Sequence, residues 1–232
     1  MSGPVGEQPA RFAAGSSDPP PGSEHTEHHL WYYNTRVWMT TTWMGVNCRK
    51  WIGDMWNYQE ILFALKPSLV IEFGTAHGGS ALFFANVARQ TGQPFKVLSV
   101  DVSHDILDPA ARRNSDILFV KSPSTAPTVA EDIQRLKTQF PGKTFVILDS
   151  DHSMSHVLAE MKLLRPLLSA GDYLIVEDSD INGHPVLPGW GAGPYEAIEA
   201  YENEFPNDYT HDRARENRFG WTSAPNGFLM RS

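Results

Sequence analysis

The sequence predicts an α/β protein built on a doubly wound, mostly parallel sheet with helices on both faces. Three observations predict it. Short apolar runs alternate with longer stretches whose apolar residues recur at helical spacing. One run, LVIEFGTAHGGS from Leu69 to Ser80, has the strand, glycine loop and helix start of a nucleotide-binding βα unit. Three further apolar runs lead straight into acids: FKVLSV into Asp101, FVIL into the stretch from Asp149 to Asp151, and YLIV into Glu177 and Asp178. Ligands of such sheets bind beyond the carboxyl ends of the strands, so acids gathered there mark a site.

The bulk properties narrow the class. The 232 residues are 41% hydrophobic, enough for one domain with a sizeable core. The net charge of -8 gives no reason to expect a nucleic-acid partner. A single cysteine, Cys48, excludes an internal disulfide and a cysteine-based zinc site, and it fits a reducing compartment. Neither a membrane span nor a signal peptide is legible, so a cytoplasmic protein is the expectation.

The elements follow in order. Residues 1–29 are rich in Gly, Pro, Ser and Glu and predict a disordered tail, carrying His25, His28 and His29. Residues 30–66 form an aromatic-rich cover and a first helix. Trp31, Tyr32, Tyr33, Trp38, Trp43, Trp51 and Trp56 crowd here, suited either to packing or to lining a pocket for a flat or sugar-like ligand. WMGVNCRKWIGD predicts a loop, and Asp54 can cap a helix whose apolar face is Met55, Tyr58, Leu62 and Leu65. The main domain spans 67–232. After the glycine loop come a helix to about Gln90, the strand to Val100, and a short strand at Ile117–Val120. Next are a helix with Val129, Ile133, Leu136 and Phe140 on one face, the strand at 144–148, and a helix carrying Val157, Met161, Leu164 and Leu168. The strand at 173–176 precedes a Gly/Pro-rich loop, and Gly193–Pro194 opens the last long helix. Two strands around Pro225-Asn226-Gly227 are expected in the tail.

The chemistry lies at the strand ends. G-x-x-x-G-G departs from the dinucleotide fingerprint G-x-G-x-x-G, which argues against a nicotinamide-dependent oxidoreductase. Gly78 and Gly79 would let the main chain approach a ligand. Glu72 is an acid inside an apolar strand, where it needs a partner, and a cationic or hydroxyl-bearing ligand would provide one. Asp101 sits where a ribose would lie. So many carboxylates on one edge would repel each other unless cations lie among them, either a hard divalent metal or a positively charged cofactor. A metal-dependent hydrolase would use the acids but leave the glycine loop unexplained, and a non-catalytic binding protein on the same fold also stays open.

ExGxxxGGSALFFA, ILDSDHSxxHVLxE, GDYLIVED and GPYEAI together resemble the cephalosporin-hydroxylase/rhamnosyl O-methyltransferase family, over about Trp43 to Arg231. These are class I S-adenosylmethionine-dependent methyltransferases of natural-product and glycolipid pathways. The resemblance implies a seven-stranded sheet, S-adenosylmethionine as donor and a Mg²⁺ ion held by Asp151, Glu177 and Asp178. Donor contacts would come from Glu72, Gly74, Thr75, Gly78, Ser80, Asp101, Ser122 and Asp149. The expected reaction is methyl transfer to a hydroxyl of a small metabolite or sugar, with nitrogen or carbon acceptors as the alternative. His152 is the first candidate for the base, Asp151 the second and His156 the third. Exposed tryptophans lead to the expectation of a homo-oligomer.

Overall fold

A computed structural model describes residues 23–232. The disordered tail expected over 1–29 therefore lies mostly outside the described residues. Where the two overlap, the expectation is corrected: Ser23–Asn34 is a helix, α1. Its polar composition hides the reason, which is tertiary. His29 and Tyr32 are buried, and His29 stacks on Trp221 from the far end of the chain with ring centroids 3.9 Å apart.

The segment expected as a loop holds a small antiparallel hairpin, β1 (Thr42–Trp43) and β2 (Val46–Asn47). Met44 and Gly45 turn it, both at positive φ (50° and 85°), the combination that suits a tight hairpin. Helix α2 (Ile52–Leu65) starts earlier than expected, with Trp51 at its cap position. Asp54 does not cap it. Its carboxylate accepts from Thr222 Oγ1 (2.7 Å) and Ser223 N (2.9 Å), fastening the C-terminal segment to α2.

The sheet has seven strands. They are β3 (Leu69–Phe73), β4 (Lys96–Asp101), β5 (Ile117–Lys121), β6 (Thr144–Leu148), β7 (Tyr173–Val176), β8 (Tyr209–His211) and β9 (Phe228–Arg231). Their order is β5-β4-β3-β6-β7-β9-β8. The first five in that order run parallel, and β9 joins β7 and β8 antiparallel. Helix α3 (Gly79–Gln90) follows β3, and a short α4 (Pro109–Arg112) precedes β5. Then come α5 (Pro127–Gln139), α6 (Met154–Leu164), α7 (Pro194–Glu204) and the single-turn α8 (Arg213–Glu216). The Pro225-Asn226-Gly227 turn leads into β9 but does not join it directly to β8, because α8 and Trp221 lie between them.

Two apolar layers sandwich the sheet. Leu69, Ile71 and Phe73 of β3 pack on the face covered by α5, α6 and α7, against residues such as Ile133, Met161 and Ile198. Val70 faces the other layer, with Tyr58 and Leu62 of α2 and Phe84 of α3. Burial on both faces explains the unbroken apolar runs of the central strands. The chain reverses its winding between β3 and β6, and there Asp149 N–H donates to Phe73 C=O at 2.8 Å. That junction is where a doubly wound sheet opens a crevice for ligands.

Candidate active site

The β3–α3 loop is tied down by its neighbours. Gly74 has φ +98°, and a Cβ there would lie 1.8 Å from the Asp149 carbonyl oxygen. The glycine lets the tips of β3 and β6 touch. Gly78 and Gly79, expected to admit a ligand, are also places of close packing, and Gly79 lines the recess beside the loop. A Cβ on Gly78 would meet Leu107 at 2.7 Å, and one on Gly79 would meet the Asn47 carbonyl at 2.2 Å. The N-terminal cover is thus pressed onto the start of α3.

Asp101 organises the same loop. Its Oδ2 accepts from Thr75 N (2.9 Å) and Ala76 N (3.0 Å), and its Oδ1 from Ser103 N (3.0 Å). Glu72 is wholly buried. Its Oε2 accepts from Ser99 Oγ at 2.5 Å, and Ser99 also bonds Thr75 Oγ1 at 2.6 Å. Glu72 Oε1 has no partner, and burial raises the carboxyl to about 7. Glu72 lines neither the recess nor the cleft, so this orphaned oxygen sits behind the loop. Ser80, at the first turn of α3, lines a small recess beside the glycine loop, whereas Ser122 lines neither this recess nor the main cleft.

The tips of β6 and β7 carry the rest. Asp149, His152 and Asp178 each offer a ligand atom, all within 4.8 Å of one another, a spacing that one ion can bridge. His152 Nε2 lies 3.1 Å from Asp178 Oδ2. Asp151, expected among the ion's ligands, stands outside this group. It is exposed, its Oδ1 accepts from Ser153 N (2.8 Å) at the start of α6, and the Ser153 hydroxyl first and this N–H second hold the carboxyl below its usual range. Asp149, expected as a donor contact, stands in the group instead.

Glu177 is drawn into a different contact. Lys50, 3% exposed, reaches it at 3.2 Å and also pairs with Asp149, while Tyr58 O–H donates to Glu177 Oε1 at 2.7 Å. Burial pushes Glu177 up to about 8 and raises Asp178 as well, even with Lys50 nearby. Buried carboxylates outnumber the one buried ammonium, so the cluster suits a further cation. Sequence reasoning missed Lys50. It lies in an aromatic stretch, and its partners are 99 and 127 positions away.

His29 and Asp180 form a second buried pair, Nε2 to Oδ2 at 2.6 Å. Burial lowers His29 to about 4 and raises Asp180, which favours the uncharged form of each. The pair fastens α1 over the site. His156, the third candidate base, bonds Ser124 Oγ (3.0 Å) and Glu160 (3.1 Å), and it lines neither cavity.

A cleft of about 360 Å³ opens over the acid cluster. Asp149, His152, Glu177 and Asp178 form its polar end. Tyr32, Tyr33, Trp38, Trp51, Trp190 and Trp221 form its walls. Tyr32 and Trp51 meet edge to face at 4.8 Å and both line the cleft, so these N-terminal aromatics pack together and line a pocket, and Trp221 stacks on Trp51 at 3.9 Å. Asp178 takes a positive φ of 52°, an uncommon backbone state for a non-glycine residue and one that recurs at functional sites.

Sheet order, glycine loop and acid-tipped strands are together those of a class I methyltransferase. The family model described as Rhamnosyl O-methyltransferase/CmcI matches residues 35–232. A rhamnosyl O-methyltransferase of Mycobacterium tuberculosis (strain ATCC 25618 / H37Rv) is 70% identical over 223 residues, 96% of this chain and 91% of that protein. The enzyme of the same name from Mycobacterium leprae (strain TN) is 70% identical over 212 residues, 91% of this chain and 92% of that protein. The chain belongs to the Rhamnosyl O-methyltransferase/CmcI family. Among solved structures, CmcI with Mg and S-adenosylmethionine superposes with a TM-score of 0.63 at 20% identity, over 84% of this chain and 77% of that one. A CmcI apo structure gives 0.66 at 19% identity, over 100% and 89%. At these identities the likeness is one of fold. Among the described residues no helix is long and apolar enough to cross a membrane.

Proposed function

We propose that this chain transfers the methyl group of S-adenosylmethionine to a hydroxyl of a rhamnosyl group, with Mg²⁺ held at the Asp149–Asp178 cluster. The observation that carries the proposal is the meeting of Asp149, His152 and Asp178 at the mouth of an aromatic-walled cleft, beside the glycine loop. The names of the 70% identical relatives support the acceptor, and the titles of the CmcI structures support the donor and the ion.

The residues fit both absent groups. Gly74, Thr75, Ala76, Gly79 and Ser80 line the recess in which the donor would lie. Asp149 and Asp178 offer the hard oxygen ligands that Mg²⁺ prefers, with waters filling the remaining positions. Bound there, Mg²⁺ would lower the pKa of the acceptor hydroxyl. An imidazole is a poorer ligand for that ion, which leaves His152 for proton work. His152 Nε2 lies 3.1 Å from Asp178 Oδ2, which keeps the ring at the cluster, and an unprotonated ring nitrogen there takes the hydroxyl proton. The oxygen then forms a bond to the methyl carbon as the carbon–sulfur bond breaks, and S-adenosylhomocysteine departs as a neutral thioether. The tryptophan walls provide flat apolar surfaces for a deoxysugar ring and exclude water from the transfer.

The test is incubation with labelled S-adenosylmethionine, Mg²⁺ and a rhamnosyl glycoside, read by mass spectrometry. One methyl is gained on the sugar, and the gain is lost in chelator. Transfer that is undiminished in chelator would overturn the ion's role, and no transfer to any rhamnoside would overturn the acceptor.

A further inference from the structure

Two cavities meet at the glycine loop. The 360 Å³ cleft and the small recess share Arg49, Lys50, Ala76 and Asp149 along their common boundary. The recess is otherwise bounded by Asn47, the loop and the first residues of α3. A donor lying across the loop has to occupy this boundary.

The charges along it are unevenly matched. Among the described residues lining either cavity, Lys50 and Arg49 are the only lysine and arginine. Lys50 is buried and consumed by Asp149 and Glu177. Arg49 is exposed, makes no ion pair among the described residues, and donates only Nε–H to Asn47 Oδ1 at 3.2 Å. Its terminal guanidinium nitrogens are free. The donor carries three charges, a sulfonium, an ammonium and a carboxylate. The surrounding acids suit the first two and repel the third.

We propose that Arg49, presented by the N-terminal cover, binds the carboxylate of the donor's amino-acid portion. The inference rests on the donor reading above and deepens it. Arginine suits this task because its planar fork meets a carboxylate with two parallel N–H···O bonds. The cover is held for it on both sides. Asn47 sits against Gly79 at the start of α3, and Lys50 is locked between strand tips. The segment whose aromatics line the cleft thereby also serves the donor. At the boundary of the two cavities it presents an unpaired cation to the donor's anionic group.

Isothermal titration calorimetry tests this with S-adenosylmethionine and decarboxylated S-adenosylmethionine, which differ only in the carboxylate. The wild-type protein binds the complete donor more tightly. A charge-assisted bidentate pair corresponds to roughly 10- to 100-fold in Kd. Arg49→Gln loses that preference by weakening the complete donor alone, with the decarboxylated form unchanged, and Arg49→Lys restores part of it. Arg49 is exposed, so its replacement leaves the fold intact, and matched melting curves check this. Equal weakening of both ligands by Arg49→Gln, or weakening of neither, overturns the inference while leaving the donor reading in place. A wild-type protein that binds neither ligand overturns both.

Discussion

Replacing Lys50 by Met removes the one buried ammonium from a group of buried acids and keeps most of the side-chain volume. The Coulomb attraction between Lys50 and Glu177 at 3.2 Å is about 5 kcal/mol at an effective dielectric constant near 20. Asp149 adds to it from the other side. Relief of the ammonium's own desolvation offsets part of this. Breaking a buried pair on one side costs about 3–5 kcal/mol, because the remaining charge is left uncompensated. For a chain of this length that lowers Tm by about 10 °C. The pH dependence has a defined sign. A carboxyl whose folded pKa is raised costs stability as pH climbs from its unfolded value of 4.5 to the folded one. Glu177 reaches about 8 with Lys50 present and higher without it, so the two proteins separate further above pH 8. Mg²⁺ recovers part of the loss, since the freed acids gain a new partner. Differential scanning calorimetry across pH reads all three effects. A Lys50→Met protein melting within about 2 °C of the wild type at every pH would refute the reasoning.

Three further outcomes follow from the same geometry. Gly74→Ala places a Cβ 1.8 Å from the Asp149 carbonyl in a backbone state that favours glycine, so urea denaturation reads a loss of at least about 3 kcal/mol; unchanged stability would contradict the close approach of β3 and β6. Glu72 rises from 4.5 to about 7, which takes about 3 kcal/mol from the donor-free protein as pH climbs through that window. Glu72→Gln lacks this slope, gains on the wild type from pH 5 to pH 8, and parallel stability profiles would contradict the assignment. Asp54→Ala leaves Thr222 and Ser223 unpartnered and loosens the C-terminal segment from α2, at a cost of about 2 kcal/mol; hydrogen exchange at 221–224 reports it, and unaltered protection there would count against it.

The sheet was legible because its central strands are buried on both faces, which writes unbroken apolar runs into 69–73, 144–148 and 173–176. The acids at their ends were legible for the same reason, as abrupt changes of character at fixed places. Which acid of Asp149-Ser150-Asp151 turns inward was not. Two residues apart, both could face the crevice on a straight strand. The chain instead bends into α6, where Asp151 takes up Ser153 N–H. Lys50 and α1 were illegible for another reason. Their partners, Asp149, Glu177, Asp180 and Trp221, are distant in sequence, and no local periodicity carries such pairings. Gly78 and Gly79 were legible as places of close approach, but that the protein's own atoms crowd Gly79 and Gly74 was not, because Asn47 and Asp149 come from other elements.

The central claim is that Asp149 and Asp178, not Asp151, hold the divalent ion beside the donor. Titration with Mn²⁺ in place of Mg²⁺, followed by electron paramagnetic resonance, addresses it without reference to turnover. The account predicts one site in the wild type and in Asp151→Asn with closely similar Kd, and at least roughly tenfold weaker binding in both Asp149→Asn and Asp178→Asn. Loss of binding in Asp151→Asn with full retention in Asp149→Asn would contradict it.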